Sequence, residues 1–106
     1  MDDITTRLAG VRTKLTTALE AVEDDAGASP ALVAVVREFD AKLSRAESRS
    51  KDTPAADMAV REGVVEAEQA ADSAKVAAEA DTGLGADARQ AVLDAHYVMC
   101  VLKAEM

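Results

Sequence analysis

Asp81 to Met106 reads DTGLGADARQAVLDAHYVMCVLKAEM, a glycine-bearing break followed by apolar residues at Ala88, Val92, Ala95, Met99, Leu102 and Met106. Steps of four and three residues return to one side of an α-helix at every turn, whereas a half-buried strand needs steps of two. The stretch is therefore expected to be a helix with one buried seam.

The same alternation runs back through the rest of the chain. Ile4, Leu8, Val11, Leu15, Ala18 and Val22 form one seam, and Leu32, Val36, Phe39, Leu43 and Ala46 form a second. Val60, Val64, Ala67, Ala71, Ala74 and Ala78 form a third. Three breaks separate the four seams. At the first, Gly27 is placed to end a helix in the left-handed conformation, and Ser29 with Pro30 to cap and start the next. Thr53 and Pro54 repeat that entry, and Gly83, with Thr82 or Gly85, makes the third break.

Short connections between helices favour antiparallel neighbours. The expected fold is all-α, one domain over 1–106. It is an antiparallel up-down four-helix bundle made of two helical hairpins and associating through the fourth helix. The expected helices span approximately 3–26, 30–50, 54–81 and 86–105. The halves share a layout, but their residues do not align at a fixed offset, so no repeat is expected.

The composition sets how such a bundle can pack. Of 52 apolar residues among 106, 24 are alanine, and the only aromatic residues are Phe39 and Tyr97. The third seam is all alanine after Val64, and Gly63 sits beside it. A glycine inside a helix costs about 1 kcal/mol relative to alanine, so Gly63 with Ala67, Ala71 and Ala74 implies close helix packing. The expected neighbours are the first and third helices, or the third and fourth. Gly10 raises the same possibility in the first helix, with tolerance at an exposed position as the plainer alternative.

Charge excludes several roles. Twelve basic against twenty acidic residues give a formal net charge of −8, which disfavours nucleic acid and anionic membrane as partners, since both select basic surface. The acidity is concentrated after Thr53, where ten acids face four bases. Solubility explains this field, and a basic partner is the functional alternative. Cys100 is the only cysteine, no export signal is visible, and no apolar run is long enough to span a bilayer. A cytoplasmic location is expected.

Two features of the fourth helix carry chemistry. Leu93, Tyr97, Cys100 and Ala104 form a second stripe beside the seam, and a bundle of this size cannot enclose one of its own helices on every side. That stripe is expected to meet a second copy, a dimer being favoured, or a different protein partner. His96 and Cys100 lie four residues apart, a spacing that lets two side chains share a metal ion. Glu62 and Glu66 of the third helix are the carboxylates considered as further ligands, against the alternative of a packed histidine beside a buried cysteine.

No catalytic constellation and no cofactor motif are found. Gly83-Leu84-Gly85 lacks the preceding strand and following Lys-Ser/Thr of a phosphate loop. Arg37, Lys42, Arg45, Arg49 and Lys51 gather toward the end of the second helix. There they complement the helix dipole or, alternatively, form a basic edge for another copy. The two functions left standing are a non-enzymatic interaction or self-assembly module with an acidic surface, and a small-ligand or metal-binding carrier or sensor.

Overall fold

Apart from Met106, which is exposed beyond the end of the last helix, the seams are the buried stripes of four helices: α1 (Ile4–Asp24), α2 (Pro30–Asp52), α3 (Met58–Ala80) and α4 (Ala86–Ala104). They come from a computed structural model that describes residues 4–52 and 58–106. The expected Thr53 cap and Pro54 entry lie outside the described residues. Among the described residues there is no strand, and no helix is long and apolar enough to cross a membrane.

α1 packs on α2 and α4, and α3 packs on the same two helices, so the four enclose one core. The chain measures 42 × 22 × 19 Å along its principal axes. The long dimension suits helices of 19 to 23 residues lying side by side. Long-range contacts gather chain-distant helix ends. Arg7 of α1 reaches Glu105 at 2.8 Å, Thr5 donates to the Ser50 hydroxyl at 3.3 Å, and Arg61 of α3 donates to the Met106 carbonyl at 3.3 Å. Arg12 of α1 bridges to Glu47 of α2 at 2.8 Å and also pairs with Asp40.

The opposite end is closed by two loops that answer each other. Asp25 accepts from the Gly27 backbone N–H at 2.8 Å and, across the molecule, from that of Gly85 at 2.8 Å. Asp81 accepts from the Gly83 N–H at 3.0 Å and from that of Ser29 at 2.9 Å. Neither Gly27 nor Gly83 adopts positive φ, which corrects the expected left-handed cap. Their lack of a side chain serves contact between the loops. A Cβ on Gly27 would lie 1.9 Å from the Gly83 carbonyl oxygen, and one on Gly83 would lie 2.4 Å from that of Gly27.

Side chains complete the helix ends. The Ser29 hydroxyl accepts from the Leu32 N–H at 3.1 Å, capping α2. Arg89 of α4 donates to the Ala78, Asp81 and Leu84 carbonyls, satisfying the C-terminal end of α3. Gly85 precedes α4 without a side-chain cap, and Asp25 from the other loop holds its N–H instead.

The Asp81 carboxyl is held below its ordinary pKa of 3.8, first by the Ser29 backbone hydrogen bond and then by that from Gly83. A depressed carboxylate pKa stabilises the fold above the unfolded value, and that contribution disappears as pH falls through the folded value. We expect Asp81→Asn to flatten the acid side of the stability profile when urea midpoints are followed from neutral to strongly acidic pH. Equal acid slopes in both proteins would contradict the assignment.

Burial also corrects the expectation of no repeat. Ile4 and Val60, Leu8 and Val64, Val11 and Ala67, Leu15 and Ala71, Ala18 and Ala74, and Val22 and Ala78 are all buried, each pair 56 residues apart. Leu32 and Ala88, Val36 and Val92, Phe39 and Ala95, Leu43 and Met99, and Ala46 and Leu102 continue the series. Gly27 and Gly83, with Asp25 and Asp81, fall on the same interval. Identity hides this register because bulk differs between the hairpins, as Phe39 against Ala95 and Ala46 against Leu102 show. Burial keeps the period while volume varies.

The close approach at Gly63 is real, but its partner is α2. A Cβ there would sit 3.2 Å from Ala46 Cα and 3.3 Å from Arg49 Nη1. This replaces the expected α1 or α4 neighbour. Ala67, Ala71 and Ala74 are fully buried beside it on α3. Gly10 has open space where a Cβ would point, so no close contact explains it.

Candidate functional site

The outward stripe of α4 divides between two neighbours. Leu93 and Cys100 are half-buried, whereas Tyr97 is 68% exposed and Ala104 is exposed. Tyr97 with Val98 and Val101 lines an open groove between α4 and α1, whose other wall includes Arg7, Gly10 and Lys14. Cys100 turns the other way, toward α3. Tyr97 and Cys100, three positions apart, thus lie toward opposite edges of the stripe.

On the α3 side, helical spacing and hairpin geometry bring four side chains together. His96 and Cys100, one turn apart, stand with His96 Nε2 at 3.3 Å from Cys100 Sγ. Asp72 of α3 places Oδ1 2.7 Å from His96 Nε2 and 4.0 Å from Cys100 Sγ. Glu68, one turn before Asp72, brings Oε2 to 3.9 Å from the sulfur. Its other oxygen lies 3.3 Å from Lys103 Nζ.

The carboxylates considered from sequence stand elsewhere. Glu66 faces α2 and pairs with Arg49 at 3.5 Å, and exposed Glu62 borders a surface hollow with Met58 and Val65. The structure thus replaces Glu62 and Glu66 with Glu68 and Asp72 as the α3 neighbours of His96 and Cys100. A sequence signal for this was present. Across an antiparallel hairpin, residues equidistant from the turn face each other. Asp72 and His96 are each 12 positions from Leu84, and Glu68 and Cys100 are each 16 positions from it. The i, i+4 spacing was applied within each helix without this pairing between helices.

Electrostatics define what the cluster can do. Burial pushes the Cys100 thiol above its ordinary value, and the nearby Asp72 and Glu68 carboxylates push the same way, with Lys103 opposing. The Asp72 carboxyl is held low, first by its hydrogen bond with Glu68 and then by His96 and Lys103. The thiol consequently stays protonated at neutral pH, the opposite of what a cysteine nucleophile beside an activating histidine requires.

Three of the five basic residues gathered on α2 are engaged within the chain. Arg37 pairs with Glu23 of α1 at 2.7 Å, Lys42 with Glu38 at 3.6 Å, and Arg49 with Glu66. These contacts support the structural alternative for that cluster over a basic edge facing another copy.

Comparison with known proteins finds no matching family model, no matching curated protein and no matching solved structure.

Proposed function

We propose that the chain is a non-enzymatic interaction module: an antiparallel up-down-up-down bundle with an acidic surface, acting in the cytoplasm and pairing with a second copy through the α1/α4 side. The observation that carries this is Tyr97, 68% exposed beside the α1/α4 groove. An exposed tyrosine is a low-entropy anchor, with an apolar ring for a cleft and a hydroxyl for its rim. Gly10 leaves open space on the facing helix, so the groove of one copy has room for the ring of the other. Such reciprocal insertion is what a two-fold interface requires.

Charge favours the same occupant. Lys14 of α1 makes no ion pair among the described residues, and Asp94 of α4 is held there by Gln90 at 2.8 Å. A two-fold partner offers each the opposite charge. Light scattering should therefore give twice the chain mass, and Tyr97→Glu should return the monomer mass with helicity unchanged by circular dichroism. A monomeric parent protein, or a Tyr97→Glu protein of unchanged mass, would remove the proposal. High salt should weaken the dimer by screening its rim charges.

A further inference from the structure

The cluster on the opposite side of α4 is not used by this association, and its atoms pose a proton problem. Cys100 Sγ has one hydrogen, yet His96 Nε2, Glu68 Oε2 and Asp72 Oδ1 all lie within 4.0 Å of it. Two carboxylates and a thiol converge with one cation, Lys103, on the edge at Glu68 Oε1. The one thiol hydrogen can be donated to only one of these neighbours at a time. Asp72, His96 and Cys100 have donor atoms that all lie within 4.8 Å of one another.

We propose that Glu68, Asp72, His96 and Cys100 form a four-donor site for a zinc-class divalent transition-metal ion. Tetrahedral zinc holds sulfur at about 2.3 Å and nitrogen or oxygen at about 2.0–2.2 Å, which separates neighbouring donors by about 3.3–3.6 Å. The gaps among Asp72, His96 and Cys100 are 2.7, 3.3 and 4.0 Å, distributed around that spacing, and Glu68 reaches the sulfur at 3.9 Å from outside this group of three. Closing the site requires Glu68 to turn further inward, since only the other three donors already lie within 4.8 Å of one another. Both helices contribute an i, i+4 pair, so the donors rest on packed elements.

The donor set selects the ion. Thiolate and imidazole favour zinc, cobalt(II) and similar ions, whereas magnesium and calcium favour shells made entirely of oxygen. Binding takes the Cys100 thiol proton into the buffer and places the sulfur lone pair on the metal. His96 coordinates through the Nε2 lone pair, keeping its proton on Nδ1. Thiolate and two carboxylates then carry three negative charges against the ion's two positive ones, and Lys103 beside the second oxygen of Glu68 supplies the balance.

The site does not depend on dimer formation, because all four donors belong to one chain and face away from the α1/α4 groove. The test uses the full chain stripped with a chelator. Zinc is titrated against a chromophoric competitor, and cobalt(II) is followed by its thiolate charge-transfer absorption. One zinc per chain is expected, together with the cobalt–thiolate band and no competition from excess magnesium. Cys100→Ser and His96→Gln should each weaken zinc binding more than about tenfold, the lower bound for disturbing even an outer-shell partner. Glu62→Gln should leave it unchanged. Absence of zinc uptake, uptake unaffected by both ligand substitutions, half an ion per chain, or no thiolate band would each overturn the proposal. Circular dichroism of both variants separates lost ligation from lost folding.

Discussion

Phe39→Ala is expected to destabilise the fold by about 3–5 kcal/mol, the usual cost of deleting a fully buried phenylalanine ring. Phe39 is the largest of the fully buried side chains and has 0% exposure. Its positional counterpart in the second hairpin is Ala95, so little bulk nearby can move in to fill the cavity. The core is otherwise drawn from leucine, valine, alanine, isoleucine and methionine. Against a total stability of about 5–15 kcal/mol for a domain of this kind, the loss removes from about a fifth to all of it. A urea titration should show a sharply lower midpoint with little change in slope. Val76→Ala, at a position 63% exposed on α3, provides the contrast, since exposed substitutions usually stay within about 0.5 kcal/mol. A Phe39→Ala cost below about 1 kcal/mol would contradict a close-packed layer at this position.

Gly27→Val should produce the second large loss, through backbone collision. The first added carbon already falls 1.9 Å from the Gly83 carbonyl oxygen, a backbone atom that cannot rotate aside. The paired loops must separate, which strains the Asp25 hydrogen bond to Gly85 and the Asp81 hydrogen bond to Ser29. Overpacking ordinarily costs about 1–3 kcal/mol, and loss of these loop ties places the variant at the upper end. Gly83→Ala acts on the same contact, so the two substitutions should be non-additive in a double-mutant cycle. Gly10→Ala should have the opposite sign. It meets open space within a helix and gains up to about 1 kcal/mol of helix propensity. Thermal unfolding of the three single variants measures both directions, and a neutral Gly27→Val would contradict the contact between the loops.

Gly27, Gly83 and Gly63 show where sequence was sufficient and where it was not. Gly27 and Gly83 mark the breaks correctly because glycine interrupts a helical seam. Their conformation was misjudged because the demand on them comes from the other loop, 56 residues away in sequence. Gly63 announces a close approach through its propensity cost, but only packing identifies Ala46 as what approaches. His96 and Cys100 are neighbours by helical period alone. Their carboxylate partners depend on how α3 and α4 are aligned across the Asp81–Gly85 turn, a relation between helices that neither helix contains.

The sequence by itself determined the four helices, the breaks at Gly27 and Gly83 and nearly every buried position. Those properties follow from the local helical period and the water-avoidance of apolar side chains. Tertiary structure alone decided that the two loops lock through opposed glycines and that α2 is what approaches Gly63. It also fixed the distances at which Glu68 and Asp72, rather than Glu62 and Glu66, meet the histidine and cysteine, a pairing that their equal spacing about Leu84 already favoured. The physical reason is that a seam fixes which side of a helix is buried, while the axial alignment of two helices is fixed by the turn joining them and by the fit of their side chains. A displacement of one helical turn leaves the seam intact and changes every polar partner beside it.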